Sequence, residues 1–174
     1  ATATGGSAKA TAASAATTAL TVHGGNAAVE DSQFESTSTH TGAVVLTQAG
    51  SGDAIFKLSG TTAEVVGAIT ATTNSTGGII AAGTVNSTFD AVGTDGAKLL
   101  TAVVDASAVA TFGGAVAADT LTINGTATIQ AVANESEAFA MGADGILFID
   151  KTVTNGGIII NEVAGTRPTL AAGS

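Results

Sequence analysis

Cysteine, tryptophan and tyrosine are absent from this 174-residue sequence, and proline occurs only once. Without cysteine the chain has no disulfide scaffold, no cysteine-liganded zinc site and no catalytic thiol. Six phenylalanines are the only aromatic residues, so few large side chains are available to fill a core. We therefore expect a thin core of alanine and valine, which would gain stability by burying more surface against copies of the same chain.

Basic residues are also scarce, because five lysines and arginines stand against fourteen acidic residues, for a net charge of −9. Nucleic-acid partners require lysine and arginine to neutralise phosphates, so we do not expect nucleic-acid binding. No apolar run approaches the roughly 20 residues of a membrane span, so we do not expect membrane insertion. The first residues do not show the basic start and apolar stretch of a signal peptide, although one that has already been removed would leave no trace.

The stretch most typical of a defined structure is DTLTINGTATIQAV, residues 119–132. Threonine alternates with apolar residues on both sides of Asn124-Gly125. Asn-Gly favours a two-residue hairpin turn, because both residues tolerate positive φ. The sequence therefore predicts a β-hairpin here, a second between residues 43–48 and 54–58, and a third around Asn155-Gly156.

Short runs rich in threonine, valine and isoleucine recur roughly every 8–12 residues between glycine, asparagine and aspartate. This spacing predicts an all-β protein of about a dozen short strands, folded as a β-sandwich or a jelly-roll-like domain with Asn-Gly hairpins. Residues 98–110 contain enough alanine for a helix, but the valine, threonine and phenylalanine around them favour strands.

One repeat is visible in the sequence. Gly42, Gly78 and Gly114 each begin a Gly-apolar-apolar triplet, and they are 36 residues apart. The next such triplet, at Gly157, breaks the period. We interpret the pattern as a sign of stacked β-units and not as a solenoid.

The composition of the chain predicts a division into three segments. Residues 1–18 are small, polar and of low complexity, and predict an extended arm that either lies along its own domain or docks on a neighbouring subunit. Residues 19–165 form the single predicted β domain. Residues 166–174, with the single proline, form an irregular C-terminal tail.

No catalytic motif is present. The two histidines, His23 and His40, are interpreted as ordinary surface residues, because the sequence has no G-x-S-x-G elbow. H-E-x-x-H, Walker A and G-x-G-x-x-G patterns are also missing, so we do not expect an enzyme.

Calcium is the metal that the sequence favours most, because its ligands are carboxylates and loop carbonyls. The candidate ligands are Asp95, Asp144, Glu30 and Asp31. No D-x-D-x-D-G loop occurs, and the simpler interpretation is that these acids are solvated turn residues. We therefore expect no cofactor, with calcium as the alternative.

The sequence disfavours two other kinds of binding surface. A carbohydrate-binding module or glycosidase would need aromatic side chains to hold sugar, and tryptophan and tyrosine are missing. Regular threonine rows are typical of ice-binding surfaces, but Thr122, Thr126 and Thr128 form only a local group. Threonine as an ordinary strand-forming residue explains them better.

The strings ATFGGAVAADTLTINGTATIQ and TGAVVLTQAGSGDAIFKLSG resemble low-complexity, β-rich surface proteins of prokaryotes. These include subunits of S-layers and extracellular filaments, autotransporter passengers and phage fibre proteins. The resemblance lies in composition across most of the chain and includes no specific motif. It implies a non-enzymatic structural subunit at the cell surface or outside the cell, whose partners are copies of itself. The alternatives are a phage decoration or fibre protein in a virion, with other virion or surface proteins as partners, and a carbohydrate-binding module.

Overall fold

The computed structural model describes residues 9–13, 19–27, 31–48, 50–94, 96–130, 138–141, 145–149, 160–162 and 169–172. In these residues the chain forms eighteen strands and no helix, so no described helix is available to cross a membrane. The first nine strands are β1 (Lys9–Ala12), β2 (Leu20–His23), β3 (Ser32–Ser36), β4 (His40–Thr41), β5 (Val44–Thr47), β6 (Ala54–Leu58), β7 (Thr62–Val66), β8 (Ile69–Ala71) and β9 (Gly78–Ala81). The other nine are β10 (Asn86–Phe89), β11 (Leu99–Val104), β12 (Val109–Phe112), β13 (Ala118–Ile123), β14 (Thr126–Ile129), β15 (Ala138–Met141), β16 (Ile146–Ile149), β17 (Ile160–Glu162) and β18 (Thr169–Ala172).

The strands lie in three parallel sheets, which we call faces A, B and C. Face A has the order β1-β3-β6-β9-β11-β13-β15-β17, face B the order β18-β16-β14-β12-β10-β7-β4, and face C the order β2-β5-β8. Single parallel bridges from Ile69 to Val92 and from Val92 to Val116 continue face C. Successive strands therefore belong to different faces. A strand inside a face pairs with the strand one turn before it and the strand one turn after it, whereas a strand at the end of a face has one described partner strand.

This arrangement is a β-solenoid of about five turns. The residues Leu20, Val44, Ile69, Val92 and Val116 occupy one register position on face C and mark the start of each turn. Beyond residue 130, β15 to β18 extend faces A and B by the same parallel pairing.

The core lies between the three faces, because alternate residues of each strand point inward. Columns of inward side chains, one per turn, run along the solenoid. The fully buried members with the largest side chains are Phe56, Phe89, Phe112, Leu46, Leu58, Ile69, Ile79, Leu99, Leu121, Ile123 and Ile129. Alanine and valine occupy many of the other buried positions, and the large inward side chains are phenylalanine, leucine and isoleucine.

Aromatic stacking joins neighbouring turns at two places. The rings of Phe34 and Phe56 on face A have centroids 6.0 Å apart, and those of Phe89 and Phe112 on face B are 5.4 Å apart. Both pairs are close to parallel, at 20° and 17°. Such pairs contribute about 0.5–1.5 kcal/mol beyond the burial of their area, so four of the six phenylalanines hold successive turns together.

The prediction of an all-β fold is confirmed, including strands within residues 98–112, but the sandwich or jelly-roll is wrong. Those folds are antiparallel, whereas every pair of named strands in the described residues is parallel. The local alternation of threonine and apolar residues is the same in both architectures. Such alternation indicates that one side of a strand is buried, but it does not indicate whether the neighbouring strand runs parallel or antiparallel.

The Asn124-Gly125 hairpin is also wrong. Strand β13 ends at Ile123 and β14 begins at Thr126 as predicted, but β13 belongs to face A and β14 to face B. Asn124-Gly125 is therefore a corner between two faces. A two-residue hairpin would place Ile123 opposite Thr126 on one side of the ribbon, which mixes apolar and polar residues.

A close approach explains the glycine in this corner. Gly125 does not have positive φ, unlike the second residue of a type I′ turn. A Cβ atom at Gly125 would instead lie 2.5 Å from the carbonyl oxygen of Asp105 and closer still to that of Ala108. The backbone of the preceding turn therefore occupies the space that a side chain would need.

The other two predicted hairpins have different outcomes. Strands β5 and β6, within residues 43–58, lie on faces C and A and do not pair with each other, so this hairpin is wrong as well. The third, around Asn155-Gly156, lies outside the described residues.

The true repeat differs from the 36-residue spacing of glycine triplets. Partners on neighbouring turns are 22 residues apart from Phe34 to Phe56, but only 17 apart from Phe112 to Ile129. Gly42 precedes a strand of face C, whereas Gly78 begins a strand of face A. The stacked β-units are confirmed, but they do form a solenoid, which the sequence interpretation did not predict, because corners of unequal length conceal a period of about 23 residues.

Within the predicted N-terminal arm, residues 9–12 form β1, which pairs in parallel with β3 of the same chain. The docking of residues 1–18 on a neighbouring subunit stays a prediction, as do the limits of the β domain and the tail.

Candidate functional site

Side chains of aspartate and asparagine connect one turn to the next at the corner between faces C and A. The Asp31 Oδ1 atom accepts a hydrogen bond from the backbone N–H of Asp53 at 2.9 Å. The Asp53 Oδ1 atom in turn accepts one from the N–H of Gly77 at 3.1 Å. Asn74 Oδ1 repeats the pattern on the next turn, where the N–H of Lys98 donates at 2.9 Å. These side chains therefore satisfy backbone donors that the corner would otherwise leave without a partner.

Of the four candidate calcium ligands, Asp31 is the one that lies in the described part of the chain. Asp31 lies directly before β3, where its carboxylate holds the next turn. Asp95, Asp144 and Glu30 lie outside the described residues. Among the residues that the structure describes, no three histidine, aspartate or glutamate side chains come together as a metal site. The calcium alternative stays a prediction.

The two histidines differ in environment. His23 is half-buried at the end of β2, whereas His40 in β4 is buried, with 1% of its surface exposed. The interpretation of His40 as a surface residue was therefore wrong. Its position follows from the register, because His40 is the face B partner of the buried Val65. The sequence alone did not indicate a catalytic site at this histidine. In the structure, neither of its ring nitrogens has a hydrogen-bond partner among the described residues.

Charged residues on the outer surface of face A form a small network. Lys9 Nζ lies 2.7 Å from Glu35 Oε2, and Ser59 Oγ donates to Glu35 Oε1 at 2.6 Å. The hydrogen bond from Lys9, and then that from Ser59, lower the pKa of Glu35. The network joins three successive turns through one lysine, one carboxylate and one hydroxyl group. None of these three groups is a buried nucleophile.

A surface cavity of about 170 Å³ lies at the corner between faces A and B. It is lined by Ala106, Ser107, Ala108, Val109, Asn124, Gly125 and Thr126. Ser107 has a φ of 65°, which is uncommon for a residue other than glycine and sharpens the turn beneath the cavity. The lining has no titratable side chain, so it offers polar contacts but no acid, base or nucleophile.

The outer surface of face B carries a threonine column that sequence reasoning missed. Thr88, Thr111 and Thr128 are register partners on three successive turns, and each is partly exposed. Thr126 stands beside Thr128 on the same strand, two residues away. Asn86 links the column, since its Nδ2 donates to Thr88 Oγ1 at 3.2 Å and its Oδ1 accepts from Thr111 Oγ1 at 3.1 Å.

The signal for this column was present but concealed. Thr88 and Thr111 are 23 residues apart, whereas Thr111 and Thr128 are 17 apart, so a search for a constant spacing does not find it. Thr122, which the sequence grouped with Thr126 and Thr128, lies on face A.

Comparisons with protein families, with curated proteins and with solved structures found no match to this chain. The resemblance to prokaryotic surface proteins therefore stays a prediction.

Proposed function

We propose that this protein is a non-enzymatic structural subunit whose copies associate end to end into an extracellular polymer. The observation that supports this best is the parallel stacking of all three faces along one direction. In a β-solenoid each turn pairs with its neighbours by backbone hydrogen bonds, so a second copy can continue the same pairing at an end.

The edge of face A at β1 is the point where this pairing is best defined. On the side away from β3, no described strand pairs with β1. The carbonyl oxygen of Ala12 accepts a hydrogen bond from the N–H of Thr37 at 3.0 Å, and therefore points toward the rest of the solenoid. Because backbone groups alternate between the two edges of a strand, the N–H and C=O of Thr11 point away from β3. An incoming strand would bond to Thr11.

The test is association measured by sedimentation velocity and electron microscopy over a range of protein concentrations. We expect particles that lengthen as concentration rises. Thr11→Pro removes the outward N–H without removing a bond to β3, and is expected to weaken association at least tenfold. Thr11→Val, which keeps the backbone donor and a branched side chain, is the matched control and should associate like the unmodified chain.

A monomer at every concentration, across pH and with or without calcium, would contradict the proposal. Particles that form only on a preformed virion would instead favour the phage decoration or fibre protein.

The threonine column on face B favours one second candidate, an ice-binding surface. Neighbouring turns are separated by about 4.8 Å and alternate residues of a strand by about 6.7 Å, so the hydroxyl and methyl groups form a regular array. This candidate is tested by measuring thermal hysteresis and the inhibition of ice recrystallisation. Thr111→Lys, in the centre of the column, should abolish both effects, whereas Thr120→Lys on the outer surface of face A should leave them unchanged. An absence of ice shaping by the unmodified protein would exclude this candidate.

A further inference from the structure

We propose that His40 is an acid-sensitive switch, whose protonation releases the segment around β4 from the solenoid while later turns remain folded. This inference is independent of end-to-end association and of the outer threonine column. It rests on the burial of the histidine in the core and, within the described part of the chain, on ring nitrogens without a hydrogen-bond partner and on charged side chains that face outward.

His40 occupies an apolar position. Its register partners along face B are Val65, Phe89, Phe112 and Ile129, and all four are fully buried. At this register position, the first described strand of face B has an imidazole, whereas the strands of the later turns have aliphatic or phenyl side chains. The column would be complete and apolar with a leucine or phenylalanine at position 40.

An aromatic side chain packs against the ring. Its centroid lies 6.0 Å from that of the Phe56 ring, at an interplanar angle of 60°. Neither Nδ1 nor Nε2 has a hydrogen-bond partner of acceptable geometry among the described residues. The neutral ring is tolerated as a mainly apolar body, but an imidazolium would need two acceptors and a solvated or paired charge.

The strands packed against His40 supply no such charge. The charged side chains on them are Glu35 in β3, Lys57 in β6 and Glu64 in β7, and each is a partly exposed residue that alternates with buried ones. Glu35 is already engaged by Lys9. Residues 13–22, between β1 and the last residue of β2, also contain no titratable side chain in their sequence. Burial accordingly lowers the pKa of His40. The backbone groups of Ala43 and Gly42 lie near the ring without meeting hydrogen-bond geometry, and they raise the pKa by less than burial lowers it.

The segment around His40 is also the part of face B that is held least. Strand β4 has two residues, pairs with β7 through His40 and Thr41, and is the edge of face B among the described strands. Opening it exposes the ring to water without separating any later pair of turns. Local opening therefore relieves the buried charge before global unfolding does.

The sign of the pH dependence follows from the lowered pKa. Above about pH 6.5 the histidine is neutral in both the closed and the open segment, and the closed state keeps its full stability. Below that pH the open segment takes up a proton and the closed segment does not. The opening equilibrium then rises up to tenfold for each pH unit, until the pH reaches the pKa of the closed state.

Hydrogen exchange read by mass spectrometry, corrected for the intrinsic effect of pH, tests the switch. We expect protection of a peptide covering residues 37–43 to fall about tenfold or more between pH 7.5 and pH 5, while peptides covering β10 to β14 keep theirs. His40→Leu should remove this response, and His23→Leu, which alters the half-buried histidine of face C, should retain it. The proposal would be overturned if the protection of the 37–43 peptide did not change with pH, or if it fell equally in His40→Leu. It would also be overturned if β10 to β14 lost protection at the same time.

Direct titration by NMR of the unmodified protein gives a second test that does not depend on the folding of a variant. The His40 ring resonances should show a pKa below that of an ordinary solvent-exposed histidine, about 6.5, and a protonation step coupled to segment opening. A His40 ring that is protonated near pH 6.5 while the segment stays closed would overturn the proposal.

Discussion

Replacing Gly125 by alanine tests how one turn of the solenoid rests on the next. The added Cβ would lie 2.5 Å from the Asp105 carbonyl oxygen, whereas ordinary contacts begin at 3.4 Å, so the two backbones must separate by about 1 Å. The carbonyl of Ala108 is closer still, and it accepts the N–H of Thr126 at 2.8 Å, so movement there strains a hydrogen bond between turns.

The expected cost combines two terms. Overpacking of a close-packed site costs about 1–3 kcal/mol, and loss of one backbone hydrogen bond costs about 0.5–1.5 kcal/mol. We therefore expect Gly125→Ala to lower the free energy of unfolding by about 2–4 kcal/mol, measured by urea denaturation.

The neighbouring residue provides the control. Asn124 does not have positive φ, so Asn124→Ala should change the free energy of unfolding by less than about 0.5 kcal/mol. In a type I′ hairpin, by contrast, asparagine would be needed for its positive φ, and its replacement would be costly. A loss below about 1 kcal/mol for Gly125→Ala, or a larger loss for Asn124→Ala, would refute the corner geometry.

Three further substitutions have defined outcomes. Asp53→Ala should destabilise by about 1–2 kcal/mol because it leaves a backbone donor without its acceptor, while Asp53→Asn should restore most of that loss; equal losses in urea denaturation would count against the hydrogen bond. Phe112→Ala should cost about 3–5 kcal/mol through the cavity it leaves, whereas Thr111→Val on the outer surface of the same strand should cost only about 0.5–1.5 kcal/mol, because it loses one hydrogen bond to Asn86; similar values would contradict the assignment of inner and outer sides. Lys9→Ala should cost up to about 1 kcal/mol at pH 7. Because Glu35 has a lowered pKa, that difference should begin to shrink as the pH falls below the ordinary glutamate value of about 4.3 and should vanish once the paired Glu35 is itself protonated; a difference that persists in the protonated state would show that the ion pair is not its cause.

The sequence was informative about single strands and misleading about their partners. The ends of β13 and β14 at Ile123 and Thr126 follow from alternation and from Asn-Gly, because both features act over a few residues. The direction of pairing depends on contacts between residues 17 to 25 positions apart, which no local pattern records. One local signal does distinguish the solenoid from the hairpin. The inward residues Ile123 and Ala127 are four positions apart, and a two-residue hairpin would place them on opposite sides of the ribbon.

The candidate sites were affected by the same limitation. His40 lies in a polar stretch, EDSQFESTSTHT, so composition predicted an exposed residue. Its burial follows from its pairing with Val65, a residue 25 positions later, and thus from the solenoid itself. The threonine column and the aspartate contacts at the corners likewise exist only once the turns are stacked. Corners of unequal length removed the constant period by which a solenoid is normally recognised.

Proximity of engineered thiols would test the solenoid most directly, since the native chain has no cysteine to interfere. Thr111→Cys with Thr128→Cys places the two thiols on register partners of neighbouring turns, about 4.8 Å apart along face B. Leu121→Cys with Thr128→Cys places them opposite each other in the alternative hairpin, but on different faces of the solenoid. The solenoid predicts rapid intramolecular cross-linking of the first pair by oxidation or a short thiol reagent in dilute protein, and none of the second. Efficient cross-linking of the second pair with none of the first would contradict it.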